Sequence, residues 1–185
     1  RDKQGRKFSK SLGNGIDPLL LIKKYGADAL RMALVAGAAP GADVKFDEDR
    51  IRGYRNFSTK LWNIGRFILM QGNPVKSPQG DHGAGAKGLT AKDKKYLKEF
   101  ETIKKKVTTS IESFRFHDAA FDAYHYVWHR FADTIIEEAK PRLHQGSGGQ
   151  ARLTSENLKD RAAAMHMLTT IFTNSLKLLH PFMPF

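Results

Sequence analysis

Apolar side chains recur at helical spacing along most of the chain, and turn residues cut that pattern into segments. Leu19 to Tyr25 predicts a short helix, with Asp17 as its cap, Pro18 at its first position and Gly26 at its end. A second helix runs to about Ala36, capped by Asp28, with Leu30, Leu34 and Val35 as its buried stripe. Gly37, Pro40 and Gly41 stop it, and Asp43 to Phe46 reads as a short extended piece. From Asp47 a proline-free stretch over about residues 48–71 predicts a long helix with Ile51, Tyr54, Leu61, Ile64 and Ile68 toward the core. Residues 72–89, rich in glycine, predict a flexible connector. Thr90 and Asp93 form a capping box for a helix to about Phe114, striped by Tyr96, Leu97, Phe100, Ile103, Val107 and Ile111. A third long helix is expected from a cap at Asp118 to a stop at Pro141, followed by a second loop over 141–153. Ser155 caps the last helix, which ends near Leu179 before Pro181. Leu158, Ala162, Met165, Leu168, Ile171, Phe172, Ser175 and Leu179 supply its inner face.

These elements predict a mainly α protein: a small mixed α/β piece over residues 1–46, then an antiparallel helical bundle over 47–185. A hydrophobic content of 41% in 185 residues suffices for a packed core. The formal charge of +12 points to a polyanionic partner. With no cysteine, disulfides and cysteine-ligated zinc are excluded. The apolar runs are too short for a bilayer span, and no signal peptide pattern opens the chain, so the expectation is a cytoplasmic protein without a membrane partner.

The densest chemistry lies in Gly5 to Asn14, which reads G-R-K-F-S-K-S-L-G-N. Lys7 and Lys10 can bring two ammonium groups onto one anion, Ser9 and Ser11 add hydroxyl donors, and Gly13 permits close backbone approach. By itself such a segment also reads as a solvated basic arm. The 48–71 helix carries Arg50, Arg52, Arg55, Lys60 and Arg66 among aromatic and amide side chains, a surface able to neutralise phosphates and stack a base. Lys60, Asn63, Arg66 and Phe67 share one side of it, with Phe67 as the stacking platform; the alternative is that Phe57, Trp62 and Phe67 are core. The lysines between Lys92 and Lys106 read as the wet face of an amphipathic helix. His125, His129 and Asp133 stand at i, i+4 and i+8, but no glutamate follows the first histidine, and no metal site is assigned.

The Lys7 to Ser11 loop resembles the K-M-S-K-S loop of class I aminoacyl-tRNA synthetases, with Phe8 in the methionine place. The continuations S-L-G-N-G-I-D-P-L and K-Y-G-A-D-A-L-R (Lys24 to Arg31) follow that family too. Gly53 to Asn63, Phe116 to Ala120, Tyr124 to Asp133 and Leu178 to Phe185 resemble its valyl branch in particular, so the likeness runs the length of the chain. The resemblance implies ATP-dependent activation of valine with Mg²⁺, then transfer to tRNA(Val). It makes Lys10 the catalytic lysine with Lys7 assisting, Lys7, Ser9, Lys10 and Ser11 the ATP-binding set, and Lys60, Asn63, Arg66 and Phe67 the tRNA contacts. It casts residues 1–46 as the end of a catalytic domain with a stem-contact region and 47–185 as an anticodon-binding domain. No H-I-G-H-type segment or editing domain is visible, so the chain is expected to be an internal fragment of a larger enzyme, inactive alone. The isoleucyl and leucyl branches, and a non-catalytic RNA-binding helical module, are the alternatives.

Overall fold

The computed structural model describes residues 1–2, 4–37, 41, 43, 46–71, 88–144 and 154–185. The helices are α1 (Pro18–Tyr25), α2 (Ala27–Ala36), α3 (Glu48–Met70), α4 (Ala91–Glu112), α5 (Phe116–His125), a π-helical segment (Tyr126–Ile136), α6 (Glu137–His144) and α7 (Ser155–Leu179). Among the described residues there is no strand, and the N-terminal piece consists of turns and helices. The expected connector over 72–89 lies outside the described residues except at its end, as does the loop over 145–153 and part of the extended piece at 43–46.

The chain forms two compact units. The first comprises Arg1–Trp62, Lys106–Tyr124 and Lys177–Phe185; the second comprises Asn63–Lys105 and His125–Leu176.

In the first unit, Asp17 caps α1 by accepting from the Leu19 N–H, with Pro18 at the first helical position where its missing N–H costs nothing. Gly26, at φ 90, ends α1 and serves directly as the N-cap of α2. The expected cap Asp28 therefore sits in the first turn of α2, where its carboxylate instead accepts from the Phe185 N–H. Leu21, Ala29, Leu30, Ala33 and Ile51 form a core cluster backed by Tyr25, Phe46 and Tyr54. Leu34, expected inside, is exposed; Met32 and Ala36 are buried in its stead. Fully buried Phe57 and half-buried Tyr54 both meet the Tyr124 ring edge-on, at 4.9 and 5.3 Å. The helix containing Tyr124 starts at Phe116, two residues before its expected cap, so Asp118 lies in its first turn.

The second unit is an antiparallel helical bundle, as its paired positions show. Glu99 meets Arg130, Tyr96 meets Glu138 and Asp93 meets Arg142, so α4 runs against the π segment and α6. Phe131 stacks on Phe172 and Arg142 reaches Asp160, which sets α7 against them in turn. Gly65 of α3 faces Phe172, and Arg161 donates to the Gln71 carbonyl, closing the set. A β-carbon at Gly65 would stand 3.2 Å from the Phe172 ring, so glycine allows that approach.

The Thr90–Asp93 box forms reciprocally: the Thr90 N–H donates to Asp93 at 2.9 Å and the Asp93 N–H to Thr90 Oγ1 at 3.1 Å. The last helix is capped by Thr154, whose Oγ1 accepts from the Asn157 N–H, one position before the expected Ser155. Leu158 and Ala162 lie outside its buried face, which uses Ala163, Ala164 and Met167 instead.

Two further departures share a cause. The third long helix changes register: Tyr126, Val127, Phe131, Ala132, Ile135 and Ile136 are all buried in the π segment. At i→i+5 spacing these pairs fall on one face, whereas at ~3.6 residues per turn they would spread around most of the helix. Pro141, expected to end this helix, lies inside α6, just after the π-to-α junction. The hydrogen-bond register already shifts at that junction, so a residue without an N–H is accommodated there.

Candidate functional site

The N-terminal loop is organised around Asp2, which is buried although charged. The Arg6 N–H and guanidinium both donate to it at 2.8 Å, and the Asn14 amide donates at 3.1 Å. Burial opposes the ionised form, but the bonds from Asn14 and Arg6 outweigh it and hold the carboxyl down at about 2. Asn14 also donates to the Lys7 carbonyl at 3.2 Å and accepts from the Ser9 N–H at 2.9 Å. One amide thus ties both limbs of the loop to its buried anion. Gly13, at φ 58, turns the chain back so that its N–H reaches the Lys10 carbonyl at 3.2 Å.

This frame brings Ser9 and Ser11 together, with hydroxyl oxygens 2.7 Å apart. Lys7 and Lys10 both lie exposed to solvent on it. Phe8 meets Phe46 edge-on at 6.4 Å, and the Phe46 N–H donates to the Arg1 carbonyl at 2.8 Å, tying the loop to the start of α3. A groove of about 260 Å³ lies beside the loop, lined by Asp2, Gln4, Arg6, Asn14, Ile16, Phe46 and Glu48. Asn14 and Asp2 escaped the sequence reading because neither carries charge toward a ligand; their part is to fix the backbone that presents the lysines.

The second candidate set lies on α3. Lys60, half-buried, belongs to the first unit; Asn63, Arg66 and Phe67 belong to the second. Asn63 and Arg66 are exposed, whereas Phe67 is half-buried with the Lys140 ammonium 5.9 Å from its ring centre. Of the aromatics weighed as core, Phe57 is fully buried and Trp62 is 74% exposed. Of the α4 lysines, Lys92, Lys104 and Lys106 pair with Glu138, Glu101 and Asp122, and Lys94, Lys95 and Lys98 face solvent.

His125 and His129 stand with ring centres 5.0 Å apart, and His129 Nδ1 lies 3.7 Å from Asp133. Among the described residues no group of three or more metal-ligating side chains is assembled. No described helix is long and apolar enough to cross a membrane.

Sequence reading missed a polar network in the second unit. Arg142 donates to both oxygens of Asp93 at 2.7 and 3.0 Å, and to Asp160 at 2.8 Å. Asp93 is 1% exposed, yet the Arg142 and Thr90 bonds overcome its burial and hold its pKa below the usual carboxylate value. Nearby, Glu138 accepts from Lys92 and Tyr96, and Glu99 makes a two-pronged pair with Arg130 at 2.6 and 2.8 Å. Asp93 and Arg142 are 49 positions apart, beyond the reach of any local pattern.

Comparison with known proteins matches residues 93–185 to the anticodon-binding domain of tRNA ligase. Residues 1–47 match tRNA synthetases class I (I, L, M and V). Valine–tRNA ligase of Clostridium tetani is 40% identical over the whole chain, which covers 20% of that protein. The enzymes of that name from Agrobacterium fabrum and Rhodopseudomonas palustris are 45% and 46% identical, again over the whole chain and 18% of each relative. The chain thus spans about a fifth of the length of these curated relatives. Among solved structures, the ternary complex of Agrobacterium radiobacter agnB2 LeuRS with tRNA and LeuAMS aligns with all of this chain and 20% of that one. Its TM-score is 0.58 at 22% identity, a likeness of fold.

Proposed function

The chain belongs to the anticodon-binding domain family of tRNA ligases, and we propose that it is part of a cytoplasmic valine–tRNA ligase, supplying the phosphate-handling loop and the grip on tRNA(Val). The observation that carries the reading is 40–46% identity to valine–tRNA ligases along the whole chain, including the loop and the bundle alike. Residues 1–46 would be the end of the catalytic domain with its stem-contact region, and 47–185 the anticodon-binding domain. The class I match ending at residue 47 supports that division.

In this reading Lys10, assisted by Lys7, places an ammonium group where charge develops on the ATP phosphates during valine activation. Ser9 and Ser11 donate hydroxyls to the same oxygens, and both lysines are exposed enough to reach them. Asn14 and Asp2 act as positioning residues: they hold the Lys7 carbonyl and Ser9 N–H in place, so less ordering remains for the moment of reaction. Mg²⁺, which the family implies, would neutralise phosphate charge. The loop's described residues do not fit as its ligands, since Asp2 is committed to Arg6 and Asn14, and no step is assigned to the metal. On α3, Arg66 and Lys60 would neutralise tRNA phosphates, Asn63 would hydrogen-bond, and Phe67 would stack a base, its ring already beside the Lys140 ammonium.

Charging assays with the intact ligase test the reading. Valine should be attached to tRNA(Val) in preference to isoleucine or leucine on their own tRNAs, and Lys10→Ala should abolish most of the rate. Efficient charging with isoleucine or leucine would move the chain to another branch. The 185-residue chain alone should show no valine-dependent ATP–pyrophosphate exchange.

A further inference from the structure

Among the described residues Phe114 is the one non-glycine with positive φ, at 59°. It sits just past α4 in a closure where its own N–H donates to the Ile111 carbonyl at 2.9 Å and the Arg115 N–H to the Ser110 carbonyl at 2.8 Å. Glycine usually occupies this place because a β-carbon is disfavoured there. A phenyl group makes the local conformation worse, and burial within this chain does not offset it, since Phe114 is 80% exposed. Phe116 meets it edge-on at 6.0 Å and is itself 44% exposed. Two exposed rings in contact at a strained turn form an apolar spot that folding of this chain does not explain.

Charge decides which kind of partner fits. Along the chain, the nearest charged side chains on either side of the rings are Lys106, Glu112, Arg115, Asp118 and Asp122. Lys106 is paired to Asp122 at 2.9 Å, and Arg115 lies 3.9 Å from Asp118. The two cations nearest the rings in sequence thus each have a carboxylate beside them, which leaves little charge for a phosphate backbone. The rings belong to the compact unit that also holds the segment matching class I synthetases. We infer that the Phe114–Phe116 knuckle is a protein interface, occupied by an apolar surface of the catalytic body that the relatives carry in the four-fifths of their length this chain does not match. The inference rests on the reading of the chain as part of a ligase. The knuckle would couple tRNA binding to the catalytic body by fixing where the helices of the first unit attach to it.

Hydroxyl-radical footprinting read by mass spectrometry tests this on the 185-residue chain and on the intact ligase, each with and without tRNA. Phe114 and Phe116 should oxidise several-fold more slowly in the intact ligase before tRNA is added. Equal rates in both proteins would overturn the inference. So would protection that appears only with tRNA, which would make the knuckle an RNA contact. A second measurement uses Phe114→Gly, which should raise the thermal midpoint of the chain and lower that of the intact ligase; a rise in both overturns the interface. Valine charging by the same intact preparation reports on the ligase reading separately. If charging fails, that reading falls; if charging succeeds and the footprint is absent, only the interface falls.

Discussion

The two compact units handle their surfaces differently. Among the described residues, the exposed large hydrophobic side chains of the second unit are Leu69, Met70, Leu158 and Leu176; the rest belong to the first. They include Leu19 and Leu20 on α1, at 72% and 65% exposure, as well as the Phe114 knuckle. The second unit instead buries a charged network around Asp93 and Arg142 within its own bundle. Single exposed leucines are ordinary, but this asymmetry is not. It teaches that the described part of the second unit turns most of its large apolar side chains inward, while the first presents more of them to solvent. The proposed tRNA contacts fall on both units, Lys60 on the first and Asn63, Arg66 and Phe67 on the second, so the contrast bears on attachment to catalytic machinery rather than on RNA binding.

The largest test of this contrast removes the network. Arg142→Ala leaves Asp93 buried with its main cation gone, and breaking such a pair costs about 3–5 kcal/mol. Chemical denaturation should show that loss. The pH dependence follows from the lowered pKa of Asp93: its stabilisation is complete above the unfolded carboxylate value and is lost as pH falls through the lower folded one. In Arg142→Ala the acid unfolding limb should therefore move to higher pH. A variant as stable as the parent would show that the second unit does not depend on its buried charges.

The next effect belongs to the first unit and leaves its stability alone. Lys10 is exposed, so Lys10→Ala should not shift thermal unfolding of the chain. In the intact ligase it should slow valine-dependent ATP–pyrophosphate exchange by about 10²–10³, or about 2.7–4 kcal/mol, the usual loss for one preorganised donor. Exchange at the parental rate would remove Lys10 from the phosphate site and leave the loop as a basic arm.

What could be read in advance follows the range of the interactions. The caps at Asp17 and Thr90 act within three residues, so local pattern places them, and the stripe Ile51, Leu61, Ile64 and Ile68 emerges from helical spacing. The π register was hidden because its buried pairs look like a broad α face until the hydrogen bonds shift. The apolar stripe carries α4 on to Phe114, since nothing in that side chain announces positive φ. At the loop, charge and hydroxyl chemistry pointed to Lys7, Ser9, Lys10 and Ser11, but the Asp2–Asn14 frame is a tertiary arrangement over 12 positions and has no motif of its own.

A smaller effect probes the knuckle. Relieving a left-handed β-carbon should stabilise the isolated chain by about 1 kcal/mol in Phe114→Gly, part of it returned as greater freedom of the unfolded chain. Thermal unfolding of the 185-residue chain measures this directly. A destabilised variant would mean the ring packs within the first unit after all, which would weaken the contrast at its apolar end.

The smallest expected change concerns how each unit meets RNA, and salt dependence reads it better than affinity does. Arg66 is exposed on the second unit's part of α3, whereas Arg52, in the first unit, pairs with Asp49 at 3.0 Å. A cation that neutralises one phosphate releases counterions, so its loss reduces the slope of log K against log salt by about 0.7 on single strands or 0.9 on a duplex. Arg66→Ala should lower the slope for tRNA(Val) by that amount. Arg52→Ala should leave it unchanged, because the guanidinium already has a carboxylate and brings little net charge to the surface. Equal slopes for the parent and Arg66→Ala would take Arg66 out of the tRNA interface. A reduced slope for Arg52→Ala as well would mean that the grip extends along α3 past Lys60 to its first turns.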